Sequence, residues 1–401
     1  MLKLRRATVT DAGPPDEPEQ ELVVELDGRA RPAIADIALV GTVQVGDEVI
    51  VNAQALDLDL GSGGFDVVHV NLTRGLDGDG APGASVMKLN YTSLQHAVRP
   101  VEDERPMNLP LCRPVAVLAL HGQLAPVAWA FAQAVPAGRL GYVQTEGGAL
   151  PGGHSHTVRA LRERGLLAGH LTAGTTFGGE GEAITTAGAI HHGLDTLGWD
   201  AVVCGPGPGI VGSSSPLGHG GLSALDSAHA ALALGCEALI VARMSSGDPR
   251  ARHRGISHHT LTVLDLLLAP VTVALPAGMR SPVGADLRAG LGAVFEGAMP
   301  SRPGLKLDVE RPVRITRHDW RRATVDLPAY AASGLSAHTM GRGLAQDPLF
   351  FGAALAGGAA LGELVGQAFA DASSGAEHDG DGAAEHGPRA GAGQADAKLN
   401  M

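Results

Sequence analysis

Between residues 114 and 276 six short, mainly apolar runs recur, each followed by a longer stretch with helical period. They are PVAVLAL (114–120), RLGYVQT (139–145), LLAGHLT (166–172), DAVVCGP (200–206), EALIVAR (237–243) and PVTVALP (270–276). A strand that is apolar on both faces must be covered on both, and intervening helices such as HTVRALRERG (156–165) and SALDSAHAALALG (223–235) supply the cover. The pattern predicts an α/β fold, a mostly parallel sheet with flanking helices.

The first hundred residues carry a different period. LKLRRATV, ELVVELD, PAIADIALVG, DEVIVNAQ, FDVVHVNLT and SVMKLNYTSL are β-rich runs separated by turn signals, which predicts a small N-terminal β-barrel preceding the sheet. The expected organisation is a barrel domain over 1–108, a parallel α/β domain carrying the site over 109–370, and a disordered acidic tail over 371–401 that lacks any apolar period. Residues 348–370 read as an Ala/Gly-rich helix, and 311–345 carry no clear pattern.

Charge narrows the range of partners. The net charge is −12, and all but one of those charges sit in 11–27, with seven acids and no base, and in 371–401, with six acids against Arg389 and Lys398. The remaining body is nearly neutral and offers no basic face to a phosphate backbone, so nucleic acid is not an expected partner. Aromatics are 3%, few for stacking on bases. The uncharged stretch 114–138 is broken by His121, Gly122, Gln123, Pro126 and Pro136, so it reads as strand, turn and helix of a core, and no membrane span is expected. Three cysteines without metal spacing and no apolar run after the basic residues of MLKLRR suit a cytoplasmic protein. A homo-oligomer stays open.

In an open parallel sheet, ligands bind beyond the carboxyl ends of the strands, and the polar residues here follow that rule. CGPGPGIVGSSSPLGHGG contains Gly207, Gly209 and Gly212 in G-x-G-x-x-G spacing, followed by Ser213 and Ser214. The serines and further glycines delay the helix, so a dinucleotide site is disfavoured; a structural turn and an anion cradle of N–H groups and hydroxyls both stay open. RMSSGDPRARHRGISHHT places Arg250, Arg252, His253, His258 and His259 after a buried strand. Ser257 is placed to cap a helix starting at His258, whose positive end keeps imidazoles neutral. Arg250 and Arg252 are expected to hold an anion, and His253 and His258 to move protons. His154, His258 and His259 are the candidate ligands of a divalent metal ion, against the rival reading of a hydrogen-bonded scaffold. Glu146 and Glu180 are the candidate acid and base, with Glu182 read rather as a helix cap. Cys204, ending a buried strand, reads as a small apolar residue.

Four motifs, NYTSLQ (90–95), TAGTTFGGEGEA (172–183), GPGPGIVGSSSPLG (205–218) and DPRARHRGISHHT (248–260), occur in the order of an uncharacterised bacterial family catalogued only as a domain of unknown function. TMGRG (339–343) resembles it too, and the resemblance covers about residues 1–370. That family carries Asp where this chain has Glu146 and differs around Met244–Gly247. It implies no activity. The residues themselves favour an enzyme, hydrolase or transferase, acting by acid–base chemistry, with or without a metal, on a phosphate- or carboxylate-bearing small molecule. The alternative is a non-catalytic nucleotide or metabolite sensor.

Overall fold

A computed structural model describes residues 1–378 except 16–17, 59–63, 149–150, 278–313 and 316. Strands β1 (Leu4–Ala12), β2 (Glu19–Leu26), β3 (Arg29–Asp36), β4 (Glu48–Asn52) and β5 (Asp66–Asn71) close into a barrel in the order β1-β2-β3-β5-β4. Alternate side chains point inward: Val9, Leu22, Val24, Ala35, Val49 and Val51 fill the interior, and a core of this size is what five strands can enclose. Two single-turn helices, α1 (Ile37–Val40) and α2 (Gln54–Asp57), link its strands. The sixth run read as barrel, SVMKLNYTSL, is not part of it. It forms β6 (Val86–Lys88), paired with β7 (His96–Val98) in a separate hairpin, because Lys88 points into the neighbouring domain rather than into an apolar barrel.

The second unit is one eight-stranded sheet in which every neighbouring pair is parallel. Its elements are β8 (Pro114–Val117), α3 (Leu124–Ala134), β9 (Leu140–Thr145), α4 (His156–Glu163), β10 (Gly169–Ala173), β11 (Gly181–Ala183), α5 (Thr186–His191), β12 (Ala201–Pro206), α6 (Ser223–Ala233) and β13 (Glu237–Val241). There follow a small pair β14 (Met244–Ser245) and β15 (Gly255–Ile256), then α7 (His258–Leu266), β16 (Thr272–Ala277), β17 (Asp319–Thr324), α8 (Leu327–Ala332), the pair β18 (His338–Thr339) and β19 (Arg342–Gly343), and α9 (Pro348–His378). Strand order is β11-β10-β9-β12-β8-β13-β16-β17, so the six expected strands are joined by one further strand at each edge, the three-residue β11 and the six-residue β17. Glu182 thereby lies in an edge strand, not in a helix cap.

Alternation along β8 assigns the faces. Val115 and Val117 pack with α5, α6 and α7, whereas Ala116 and Leu118 pack with α3, α4 and α9. The chain leaves β8 toward α3 on one face, but leaves its neighbours β12 and β13 toward α6 and α7 on the other. This divergence makes the carboxyl end of β8 the topological switch point, the place where sheets of this kind form a crevice for ligands.

Within α9, Pro348–Ala368 is long and apolar enough to cross a membrane, but Phe350, Phe351, Leu355 and Leu361 are buried against α3 and the sheet, so that apolar surface is spent within the fold. The helix extends through 371–378, read from the sequence as the start of the tail; the rest of the expected tail lies outside the described residues.

Candidate functional site

The crevice beyond β8 is built by three chain segments. Arg243 follows β13, and its backbone N–H donates to Thr260 Oγ1 at 2.8 Å, which ties the strand exit to α7. Ser257 caps α7 as expected, its Oγ accepting from the His259 N–H, and the same Oγ lies 2.8 Å from His253 Nδ1. The glycine loop after β12 delivers His219, whose ring stacks on His259 with centroids 3.6 Å apart. The ring of His258 is 4.4 Å from that of His259 and 4.9 Å from that of His253. All four histidines are buried. The TMGRG hairpin closes the crevice: Thr339 sits where a side chain on Gly122 would be, and Arg243 reaches Met340 Sδ at 3.4 Å.

Electrostatically this is a buried positive site. Arg243 is 3% exposed, and its guanidinium meets His259 Nδ1 at 2.7 Å, while Asp248 stands 3.9 Å away. Its Nε has no hydrogen-bond partner among the described residues. Burial, aided by the charges of Arg250, Arg342 and Arg252, pushes the guanidinium down to about 10, with Asp248 opposing. Burial and the charges of Arg243 and Arg250 push His253 down to about 3, and burial lowers His219 and His259 as well. These three imidazoles are neutral near pH 7. The carboxylates are already spoken for. Asp248 accepts from Arg250 at 2.8 Å and Arg342 at 3.2 Å; burial alone would raise its carboxyl, but the Arg250 donors and charge hold it well below the usual range. Asp347, fully buried, accepts from Ser245 Oγ, the Ser246 and Gly247 N–H groups and Arg342 Nε.

Could the cluster hold a metal? His253, His258 and His259 each offer a nitrogen within 4.8 Å of the others, a number and type that suits zinc. The guanidinium of Arg243 has no acceptor, so its contact with His259 Nδ1 makes that atom the acceptor and puts the ring proton on Nε2. One of three ligand lone pairs is thereby lost, and the surrounding guanidinium groups repel a cation. The residues fit an anion better.

The remaining sequence candidates sit elsewhere along the same edge or away from it. His154 stands at the barrel contact, 2.9 Å from Asp36 and 3.6 Å from Glu19, not with His258 and His259. Glu146 follows β9, exposed, and accepts from the N–H and Oγ1 of Thr175 at 3.3 Å. Glu180 pairs with Arg162 and accepts from the His170 N–H, so its carboxylate fastens α4 to β10 and does not face Glu146. Arg250 is engaged with Asp248, whereas the Arg252 Nε has no partner among the described residues.

The loop holding Gly207, Gly209 and Gly212 closes on itself as a tight hairpin. Ser213 Oγ donates to the Gly218 carbonyl and accepts from the Ser215 N–H, and Gly220 N–H donates to Val211. Those donors are spent internally, and Ser214 is exposed. The glycines answer to packing: a Cβ on Gly147 or Gly220 would strike the other's carbonyl, and one on Gly207 would strike Gln144.

Arg243, Asp248 and His219 lie within motifs the sequence singles out, but nothing in the sequence gives them roles. Arg342 and Asp347 carry no signal beyond TMGRG. Cys204 is buried, which pushes its thiol up and suits the apolar reading.

Barrel, parallel sheet and crevice together define an α/β protein whose switch point is lined by buried histidine and arginine. The chain belongs to the family described as Protein of unknown function (DUF3866), whose model matches residues 32–358, from β3 into α9. No curated protein matches the chain.

Proposed function

We propose that this chain is a cytoplasmic enzyme that binds a phosphate- or carboxylate-bearing small molecule at the carboxyl end of β8, held by Arg243, with His253 and His258 moving protons. The observation that carries the reading is the Arg243 Nε, buried without a partner on a guanidinium whose nearest carboxylate is 3.9 Å away. A buried cation left this way costs several kcal/mol unless a counter-charge arrives, and an anion supplies both the charge and the acceptor. Arg252, with its own unpaired Nε, adds to the attraction. His253 has a free lone pair near pH 7, and an anion bound beside it would offset the Arg243 and Arg250 charges that hold it down, raising its basicity toward the working pH that general base catalysis asks. The glycine loop contributes position more than donors. Nucleic acid and membrane lie outside this proposal, since the site is a crevice rather than a basic face.

The sensor reading has one observation in its favour. Glu19 and Asp36 of the barrel hold His154, just before α4, and Arg159, within it, which gives a path between barrel and sheet.

Thermal shift with phosphate, pyrophosphate and citrate tests the site. Saturating anion at a hundred times its dissociation constant stabilises by about 2.7 kcal/mol, and Arg243→Met abolishes that shift while Arg254→Met, at an exposed position, keeps it. No shift in the parent, or an equal shift in Arg243→Met, ends the anion reading. With a ligand in hand, His258→Asn separates enzyme from sensor: turnover falls far more than affinity in the first case, and there is no turnover to lose in the second.

A further inference from the structure

The histidine crevice leaves unused a cavity of about 400 Å³ at the far edge of the sheet, between the β6–β7 hairpin and β11. Two of the sequence motifs meet there, NYTSLQ and TAGTTFGGEGEA. At its base Lys88, 5% exposed, donates to Glu182 Oε2 at 2.6 Å and to the carbonyls of Thr172 and Thr176. Glu182 in turn accepts from Thr172 Oγ1 and the Gly178 N–H, each at 2.7 Å. The ammonium has spent its three protons and the pair is neutral, so the base of the cavity is polar but carries no net charge.

The rim has an unusual backbone. Leu89, which lines the cavity, has φ 52° and Tyr91 has φ 63°, both left-handed, and neither is a residue that adopts this region readily. Each costs about 1–2 kcal/mol, and such strain persists where the surrounding structure holds it, commonly at ligand clamps. Tyr91 is fully exposed and stacks on no other ring among the described residues, in a chain with three tyrosines. The walls are otherwise aliphatic, with Ile184 opposite the hairpin, and Asn90, Thr92 and Thr175 supply the polar edge.

We infer that this cavity is a second ligand site, taking an uncharged heteroaromatic ring of the nucleobase kind, as a free base or nucleoside. A charged ligand would enter apolar walls facing an already neutral ion pair and lose its hydration without compensation. A flat ring loses little on entering aliphatic walls, and its edge can present donors to the Thr92 and Thr175 hydroxyl oxygens and either kind of group to the Asn90 amide. The inference stands independently of the anion site.

Ligand-observed NMR and calorimetry on the full chain with adenosine, guanosine, uridine and cytidine test it. The expected result is binding of at least one at millimolar concentration or below, weakened about tenfold or more in Asn90→Ala, which removes the amide at the cavity edge. Because Asn90 is exposed, the variant keeps the parent's melting temperature. Leu89→Gly relaxes the rim, so it melts no lower than the parent yet also binds more weakly. Absence of binding by all four nucleosides overturns the inference. So does binding unchanged in Asn90→Ala and lost in Arg243→Met, which would move the ligand to the histidine crevice.

Discussion

Arg243 NH1 lies 2.7 Å from His259 Nδ1, and since a guanidinium can only donate, this contact fixes which tautomer His259 adopts. The ring proton is on Nε2, and the ring lies flat on His219. One side-chain contact thus takes one ligand lone pair out of the histidine cluster.

The first consequence concerns metal. A divalent ion must displace Arg243 from His259, so protein purified without chelator is expected to carry zinc well below one ion per chain, and Arg243→Met, which frees the nitrogen, to carry more. Elemental analysis of both proteins checks this. Near-stoichiometric zinc in the parent, lost in His258→Ala, would instead make the cluster a metal centre.

Acid sensitivity is the second. Burial pushes His121 down to about 4 and His170 down to about 3, against about 6.5 in an unfolded chain. Between roughly pH 6.5 and 4 the unfolded chain binds more protons than the folded one, so stability is full above that window and falls as pH drops through it. Each such histidine steepens the fall by about 1.4 kcal/mol per pH unit. Urea melts at pH 7.5 and pH 5 should show the loss, and His170→Gln should lessen it; equal midpoints at both pH values would contradict the burial of these rings as neutral groups.

The glycine contact between two loops gives a third expectation. Gly147, at φ 109°, and Gly220 leave no room for a Cβ between them. Gly147→Ala should cost about 2–4 kcal/mol from overpacking and backbone strain together. Gly28→Ala, at φ 72° with open space around it, should cost only about 1–2 kcal/mol. Similar losses at the two positions in denaturant unfolding would show that the loops separate easily.

Asp347 gathers the β13 exit and the TMGRG hairpin onto the start of α9. Asp347→Asn keeps the shape but removes the counter-charge of Arg342 from a fully buried position, at a cost of about 3 kcal/mol or more. An unfolding free energy within about 1 kcal/mol of the parent would mean that Asp248 alone satisfies Arg342.

Much of the fold can be read along the chain because its information is local. Period two in the barrel strands, apolar runs such as DAVVCGP, and the Ser257 cap all depend on neighbours a few residues away, and all are as expected. Misreadings arise where a residue answers to a distant one. SVMKLNYTSL has strand character, but Lys88 is claimed by Glu182, so the run leaves the barrel. Glu182 reads as a helix cap, yet lies in the edge strand β11, bound by Lys88.

The sequence by itself determined the barrel, the alternating sheet and the edge on which polar residues collect, because hydrophobic period and turn chemistry operate over short spans. Tertiary structure decided the site. Strand order placed β8 between β12 and β13 and so opened the crevice, and only folding brought Met340 to Arg243 and Asp347 to Ser245, contacts that span about a hundred residues. His154 and His258 are the same residue type, each next to a serine that caps a helix. One meets barrel carboxylates and the other a buried histidine cluster, because burial, charge and tautomer are set by what packs around a side chain and not by what precedes it.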